Sequence, residues 1–276
     1  MVISWYPGHM HKAGKELEKA SKEAHAVIEL VDARAPLSSS NPILGSFAPK
    51  LPRIKILTKA DLADEKTTTL WRTYFKKKRK TSCIISDYQR PINQTTLINE
   101  LKPHLGNSLD IIQPKQLLVV GIPNVGKSTL LNTIMGKKIA KTGNEPAITK
   151  GQQRVKIDTG WYLIDTPGLM WPKLENQDGA YKLACLGTIR NTAIDIEDIG
   201  WYMAEFLLKE HQERLQLRYG ITKHINTAEL LYESVAKTNG ALSKKGLTDY
   251  HKVSEILLND FRSGNLGRLS IEKPEI

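Results

Sequence analysis

The segment that most constrains this chain begins at Gln116-Leu117-Leu118-Val119-Val120 and runs into Gly121-Ile-Pro-Asn-Val-Gly-Lys-Ser128. A short apolar, β-branched run reads as a buried strand, and Ser128–Met135 then carries helical periodicity. Strand, G-x-x-x-x-G-K-S loop and helix in direct succession require an α/β sheet with the loop at a strand's carboxyl end. Gly121 and Gly126 let backbone N–H groups curl around phosphate oxygens, and the helix N-terminus adds a favourable dipole. Lys127 is suited to neutralising phosphates and the Ser128 hydroxyl to ligating Mg²⁺, with Asn124, Val125 and Thr129 completing the candidate loop.

A second phosphate-sensing group follows downstream. Trp161-Tyr162-Leu163-Ile164 is an apolar strand ending in Asp165-Thr166-Pro167-Gly168. A strand delivering D-x-x-G supplies a carboxylate for Mg²⁺ and a glycine N–H for a γ-phosphate. Between the two motifs, Pro146-Ala147-Ile148-Thr149 offers Thr149 as a further Mg²⁺ ligand.

The base-reading group stands upstream. Guanine presents its ring N1–H and exocyclic amine together, so its reader needs a carboxylate. No N/T-K-x-D follows Gly168 at a strand end. Before the phosphate loop, Arg53–Leu57 reads as a strand running into Thr58-Lys59-Ala60-Asp61. Asp61 is the candidate reader, with Lys59 expected along the base and the phosphate loop. The other reading of Asp61 is a cap for a helix after Leu62. Cys83-Ile84-Ile85 is another strand, ending at Ser86, whose backbone N–H is expected to meet the guanine oxygen. In ordinary GTPases the phosphate loop comes first; here the parts are present and the order is recut. The strands Val27–Val31, Ile54–Leu57, Cys83–Ile85, Leu117–Gly121, Arg154–Asp158 and Trp161–Ile164, with helices between most, predict a doubly wound, mostly parallel sheet.

The length of 276 residues suggests one sizeable domain and a smaller one. The net charge of +11 is made of +12 in residues 1–189 and −1 in residues 190–276, and the basic excess points to a polyanionic partner, nucleic acid first. Lys12, Lys15, Lys19 and Lys22 fall on one helical face and Lys76–Lys80 is a compact basic run; each also reads as a solvated face. Cys83 and Cys185 form neither a disulfide framework nor a zinc cluster, which fits a reducing compartment. Residues 1–25 carry Glu16, Glu18 and Glu23 and no apolar signal core, and no run reaches the length of a membrane span. After residue 190 the apolar stripes are helical: Ile199, Tyr202, Met203, Phe206 and Leu207; Leu230, Leu231 and Val235; Val253, Ile256, Leu257 and Phe261. Gly240 and Gly264 read as helix stops.

Together these residues resemble the circularly permuted GTPases of ribosome assembly, of the ribosome biogenesis GTPase A (YlqF) type. The resemblance runs over nearly the whole chain. It rests on W-Y-P-G-H-M at Trp5–Met10, V-D-A-R-A-P at Val31–Pro36, S-S-S-N-P at Ser38–Pro42, the phosphate loop, P-A-I-T-K-G-Q-Q, D-T-P-G-L, and D-I-E-D at Asp195–Asp198. It implies a cytoplasmic GTPase that matures the large ribosomal subunit, binds rRNA and pre-ribosomes in a nucleotide-dependent way, and works as a monomer with GTP, GDP and Mg²⁺. The implied organisation is a basic helical segment (1–25) belonging to a permuted P-loop GTPase domain (26–180), then an all-helical C-terminal domain (190–276). The position after D-T-P-G is Leu169, which cannot polarise water, and His9 is the catalytic candidate that the resemblance also indicates. Asn124 is the position at which potassium-activated relatives hold a monovalent cation, so K⁺ is a candidate cofactor. Thr58 departs from the usual asparagine, which bears on guanine affinity. Two other functions remain open at this point: a guanine-nucleotide-sensing RNA-binding module with incidental hydrolysis, and a small-subunit assembly GTPase. Relatives of the last kind usually carry an added OB-type domain and a zinc site, and this chain has neither pattern.

Overall fold

The computed structural model describes residues 3, 8–105, 114–136, 153–171, 174, 176–221 and 225–275. Thr149 and Trp5, Tyr6 and Pro7 of the Trp5–Met10 motif lie outside them, as does the side chain of His9. In chain order the elements are α1 (Gly8–Glu23), β1 (Ala26–Asp32), α2 (Leu44–Phe47), β2 (Arg53–Thr58), α3 (Glu65–Lys76), β3 (Thr81–Ile85), α4 (Gln94–Leu105), β4 (Lys115–Gly121), α5 (Lys127–Met135), β5 (Gln153–Asp158) and β6 (Trp161–Asp165). Then come α6 (Gln177–Cys185), α7 (Ile196–Glu210), α8 (Gln212–Tyr219), α9 (Ala228–Asn239) and α10 (Tyr250–Ser263).

The strands form one sheet in the order β3-β2-β1-β4-β6-β5. All neighbours are parallel except β5, which pairs antiparallel with β6. The expected mostly parallel, recut α/β sheet is therefore present. Strand β1, first in sequence, lies between β4 and β2 and lets the strand that leads into Thr58-Lys59-Ala60-Asp61 share a sheet with the phosphate-loop strand. Its burial on every residue explains an apolar run without alternation. Val31, Leu57 and Cys83 pack against Trp71 and Phe75 of α3. Ile28, Leu30, Ile54 and Ile56 instead belong to the main core, shared with Leu17 of α1 and Leu97 of α4.

Asp195 caps α7 by accepting from the N–H groups of Glu197 and Asp198, so D-I-E-D opens a helix because its first carboxylate satisfies orphan donors. Helices α7 and α10 pack closely, and the Tyr232 hydroxyl of α9 meets the Ser254 hydroxyl of α10 at 2.8 Å. Gly240 and Gly264 end α9 and α10 in the left-handed conformation, as expected. The stripes need small corrections. Leu230 is 45 % exposed and its place is taken by Tyr232, while Tyr202 and Phe206 are only partly buried. The real helix phase puts Leu231, Tyr232 and Val235 inward. Among the described residues no helix is long and apolar enough to cross a membrane.

Candidate functional site

The phosphate loop, the D-T-P-G loop and the T-K-A-D turn all leave carboxyl ends of parallel strands of one sheet, β4 and β6 side by side and β2 one strand away across β1. Ligand loops gather at that edge in doubly wound sheets. The loop after β4 is shaped by backbone conformation: Asn124 has φ 59° and Gly126 φ 105°, left-handed values that asparagine and glycine adopt readily. Helix α5 begins directly at Lys127. Val125 is buried, its carbonyl facing Thr58 at the end of β2, and Thr129 is exposed on α5.

The Lys127 ammonium is buried and donates to the carbonyls of Gly121 and Ile122 at 3.1 and 3.3 Å. Burial lowers its pKa to about 8, with the charge of Asp165 opposing. Asp165 mirrors it: burial pushes the carboxyl up to about 6, against the Lys127 charge and the Thr166 N–H. Its Oδ1 is buried and has no hydrogen-bond partner among the described residues. An orphaned carboxylate oxygen beside a phosphate loop has the hard-oxygen chemistry that Mg²⁺ selects. Asp165, with the Ser128 hydroxyl at the start of α5, therefore fits the metal.

Gly168 is fixed by close approach. A Cβ there would lie 3.0 Å from Pro123 Cα and 3.3 Å from Lys127 Nζ. The two loops are thus in van der Waals contact, and the Leu169 N–H donates to Gly121 O at 3.2 Å. Leu169 is buried, so it cannot orient water.

The T-K-A-D turn reaches the phosphate loop directly. Thr58 Oγ1 makes contacts of 2.7 Å with Val125 O and 3.1 Å with Val31 O. A single hydroxyl proton serves one of these at a time, and the shorter contact crosses to the phosphate loop. The threonine hydroxyl thereby ties the end of β2 to the phosphate loop. Asp61 is exposed at the turn and does not cap the following helix. That helix starts at Glu65, and Asp64 caps it by accepting from the Thr67 N–H at 2.7 Å.

Two groups expected at the base already have partners. Lys59 (φ 54°) places its ammonium 3.2 Å from Asp32 Oδ2 at the end of β1. Burial lowers its pKa, with Asp32 opposing. Ser86 does not present its N–H to the edge, because that N–H donates to Leu57 O at 2.9 Å. Strand β3 ends at Ile85, as the sequence suggested, and the Ser86 bond follows directly on that end. The Asn124 amide nitrogen donates to Gly187 O at 2.9 Å, joining the phosphate loop to the turn after α6.

Several residues of the site's framework were not singled out in sequence. Asp32 accepts from Arg34 Nε and Nη2 at 2.9 and 2.8 Å, and both residues are buried. Arg34 also donates to Phe261 O and stacks over the Phe261 ring. Buried Glu29 accepts from Lys55 at 2.7 Å and from the Asn41 N–H at 2.9 Å, fixing the S-S-S-N-P loop. The signal was available: charged residues inside or at the end of an otherwise apolar strand are rarely buried unpaired.

The family model of the 50S ribosome-binding GTPase matches residues 116–228. Ribosome biogenesis GTPase A of Bacillus cereus is 39 % identical over 282 residues, covering 100 % of this chain and 95 % of the relative. Among solved structures, GDP-bound YlqF aligns with a TM-score of 0.69 at 28 % identity, covering 95 % of this chain and 100 % of the other. GNP-bound YlqF from T. maritima aligns at 0.68 and 28 % identity, covering 96 % and 99 %.

Proposed function

The chain belongs to the ribosome biogenesis GTPase A family and is a GTPase, and on that premise we propose that it acts in maturation of the large ribosomal subunit, binding rRNA in a nucleotide-dependent manner. The observation that carries the nucleotide reading is the Thr58 hydroxyl on Val125 O, which ties an upstream base-reading turn to the phosphate loop. Asp61 then accepts from guanine N1–H and the exocyclic amine. Lys127 leaves the Gly121 and Ile122 carbonyls for the phosphates. Ser128, Asp165 and Thr149 would hold Mg²⁺, which would supply positive charge to neutralise the phosphates. Asn124 is the candidate ligand for K⁺ through its amide oxygen, its amide nitrogen being the atom that donates to Gly187 O. The proposed division is a basic segment 1–25 within a GTPase domain extending over 26–180, and a helical domain 190–276 that reports the nucleotide state to the particle.

Leu169 leaves the water-orienting role open, and His9, at the start of α1, is proposed to fill it on the ribosome. Slow turnover alone and faster turnover with large subunits are expected. His9→Ala should bind subunits normally and lose the stimulation by about 10²-fold or more. Retained stimulation rejects the histidine. Co-sedimentation with separated subunits in GTP, GDP and a non-hydrolysable analogue tests the function itself. Large-subunit binding that depends on the nucleotide supports it. Nucleotide-dependent RNA binding without stimulated turnover supports the sensing module instead, and small-subunit binding would redirect the proposal.

The perturbed pair sets a pH window. Binding needs a carboxylate at Asp165 and an ammonium at Lys127, whereas the nucleotide-free protein titrates them near 6 and 8. Below pH 6 the metal must displace a proton from Asp165; above pH 8 Lys127 must first regain one. Apparent affinity for Mg²⁺–GTP should therefore be highest between these values and fall by up to about tenfold per pH unit outside them. The same raised carboxyl makes the folded state bind a proton more tightly than the unfolded chain. Its ionisation thus destabilises the free protein as pH rises from the ordinary carboxylate range through 6. Titrating a fluorescent GTP analogue from pH 5 to 9 checks the window, with Asp165→Asn expected to flatten the acid limb. A flat wild-type profile would contradict it.

A further inference from the structure

The base-reading turn is held from outside the nucleotide-binding sheet. Between β2 and α3 the chain passes through Lys59–Asp64, and its carbonyls at Ala60 and Ala63 converge on one guanidinium. Arg268 Nη2 donates to Ala60 O at 3.1 Å and Nε to Ala63 O at 3.0 Å. Its Nη1 lies 3.3 Å from the Glu65 carboxylate. The next residues continue the contact: the Leu269 N–H donates to Leu62 O at 3.0 Å, and Ser270 Oγ accepts from the Asp64 N–H at 3.1 Å. The segment starts where α10 ends at Gly264, whose φ is 82° and where a Cβ would lie 2.8 Å from Leu62 Cδ2. It is secured beyond by the Ile271 N–H on Arg34 O and by the Trp71 indole N–H on Glu272 O.

Asp61 sits in the middle of this braced turn and is itself exposed. An exposed carboxylate can meet two guanine donors together only if its backbone is fixed beforehand; otherwise binding must order the turn at a cost in affinity. We propose that Arg268 is a positioning residue for guanine recognition, so that docking of the segment after α10 onto the Lys59–Asp64 turn sets how tightly the base is held. The proposal rests on the reading of Asp61 as the base reader. Linkage makes the coupling reciprocal: whatever draws α10 and its tail from the turn weakens guanine binding, and guanine binding favours the docked tail. A partner gripping the helical region thereby gains a route to nucleotide release that bypasses the phosphate loop.

The test compares GDP with IDP by calorimetric titration of the full chain, since inosine lacks the exocyclic amine that one Asp61 oxygen accepts from. Arg268→Ala should lose about tenfold in GDP affinity and less in IDP affinity, so that the GDP/IDP ratio shrinks several-fold. Arg268→Lys, which keeps a donor but not the fork, should fall between, and it carries the test if the alanine variant does not fold. Arg218→Ala is the stability control, because Arg218 pairs with Asp260 inside the helical region at 2.8 Å. It should lower the melting temperature and leave the ratio unchanged. An unaltered GDP/IDP ratio in both Arg268 variants overturns the proposal, provided Asp61→Asn still abolishes the preference for GDP. If Asp61→Asn leaves GDP affinity intact, it is the base-reading assignment that fails.

Discussion

Asp61→Asn is expected to weaken GTP binding by on the order of 10²–10⁴-fold and to make xanthosine triphosphate the preferred nucleotide. The reason is donor and acceptor count. An aspartate at this turn accepts from two guanine N–H groups, both charge-assisted. Asparagine accepts from N1–H but turns its amide donors toward the exocyclic amine, leaving donor facing donor. Xanthine replaces that amine with a carbonyl, which an asparagine amide satisfies. The backbone should tolerate the change, because Asp61 is exposed and Asp64, not Asp61, caps α3. Folding is therefore expected to be intact, and the effect appears in competition titrations of GTP, XTP and ATP. GTP affinity within twofold of wild type would move base recognition away from this turn.

Much of this site was legible because its motifs are statements about local backbone. A G-x-x-x-x-G-K-S loop needs left-handed residues at fixed positions, and Asn124 and Gly126 occupy them. A D-T-P-G loop approaches the phosphate loop too closely for a side chain at Gly168. The inverted order was readable too, because parallel strands do not care in which sequence they are laid down. Local competition hid other features. Asp61 and Asp64 are both plausible caps three residues apart, and only the true start of α3 chooses between them. The Ser86 N–H is taken by Leu57 O just past the end of β3, a bond to a distant part of the chain that no local signal announces.

What was illegible is long-range. Nothing near Arg268 in sequence announces that its guanidinium ends on the carbonyls of Ala60 and Ala63. Similarly, Arg34 was visible only as part of a motif, although it joins β1 to the end of α10 through Phe261 O. The near-neutral C-terminal region therefore serves as more than a candidate surface for RNA. Its last helix and tail are bonded to the end of β1 and to the Lys59–Asp64 turn, while Gly187, after α6, is bonded to Asn124 of the phosphate loop. Arg262 closes the remaining gap by donating to the carbonyls of Ala184 and Cys185. Nucleotide-responsive loops and helical region thus share hydrogen bonds, which is the physical requirement for one to bias the other.

The centre of that junction should be the most sensitive point for stability. Asp32→Ala is expected to destabilise the fold by about 3–5 kcal/mol, because it leaves the Arg34 guanidinium buried without its carboxylate. The side chains of the pair are 1 and 2 % exposed, so neither can turn to water without opening the contact between β1 and α10. Arg34→Met should cost less: Asp32 retains Lys59 at 3.2 Å, and a thioether of similar length fills the space over Phe261. The asymmetry between the two variants, read from urea midpoints at constant slope, is the diagnostic result. The pH dependence separates this pair from Asp165. Burial alone would raise the Asp32 carboxyl, but the charges of Arg34 and Lys59 and the Arg34 hydrogen bonds outweigh it and hold it well below the usual carboxylate range. A depressed carboxyl contributes stability above its unfolded pKa and loses it only as pH falls toward the folded value. Wild-type stability at pH 5 should therefore still contain the whole Asp32 contribution, and the difference between wild type and Asp32→Ala should shrink only below about pH 4. Equal destabilisation by the two variants, or a gap that closes already at pH 6, would show that the pair is not the brace that joins the sheet to α10.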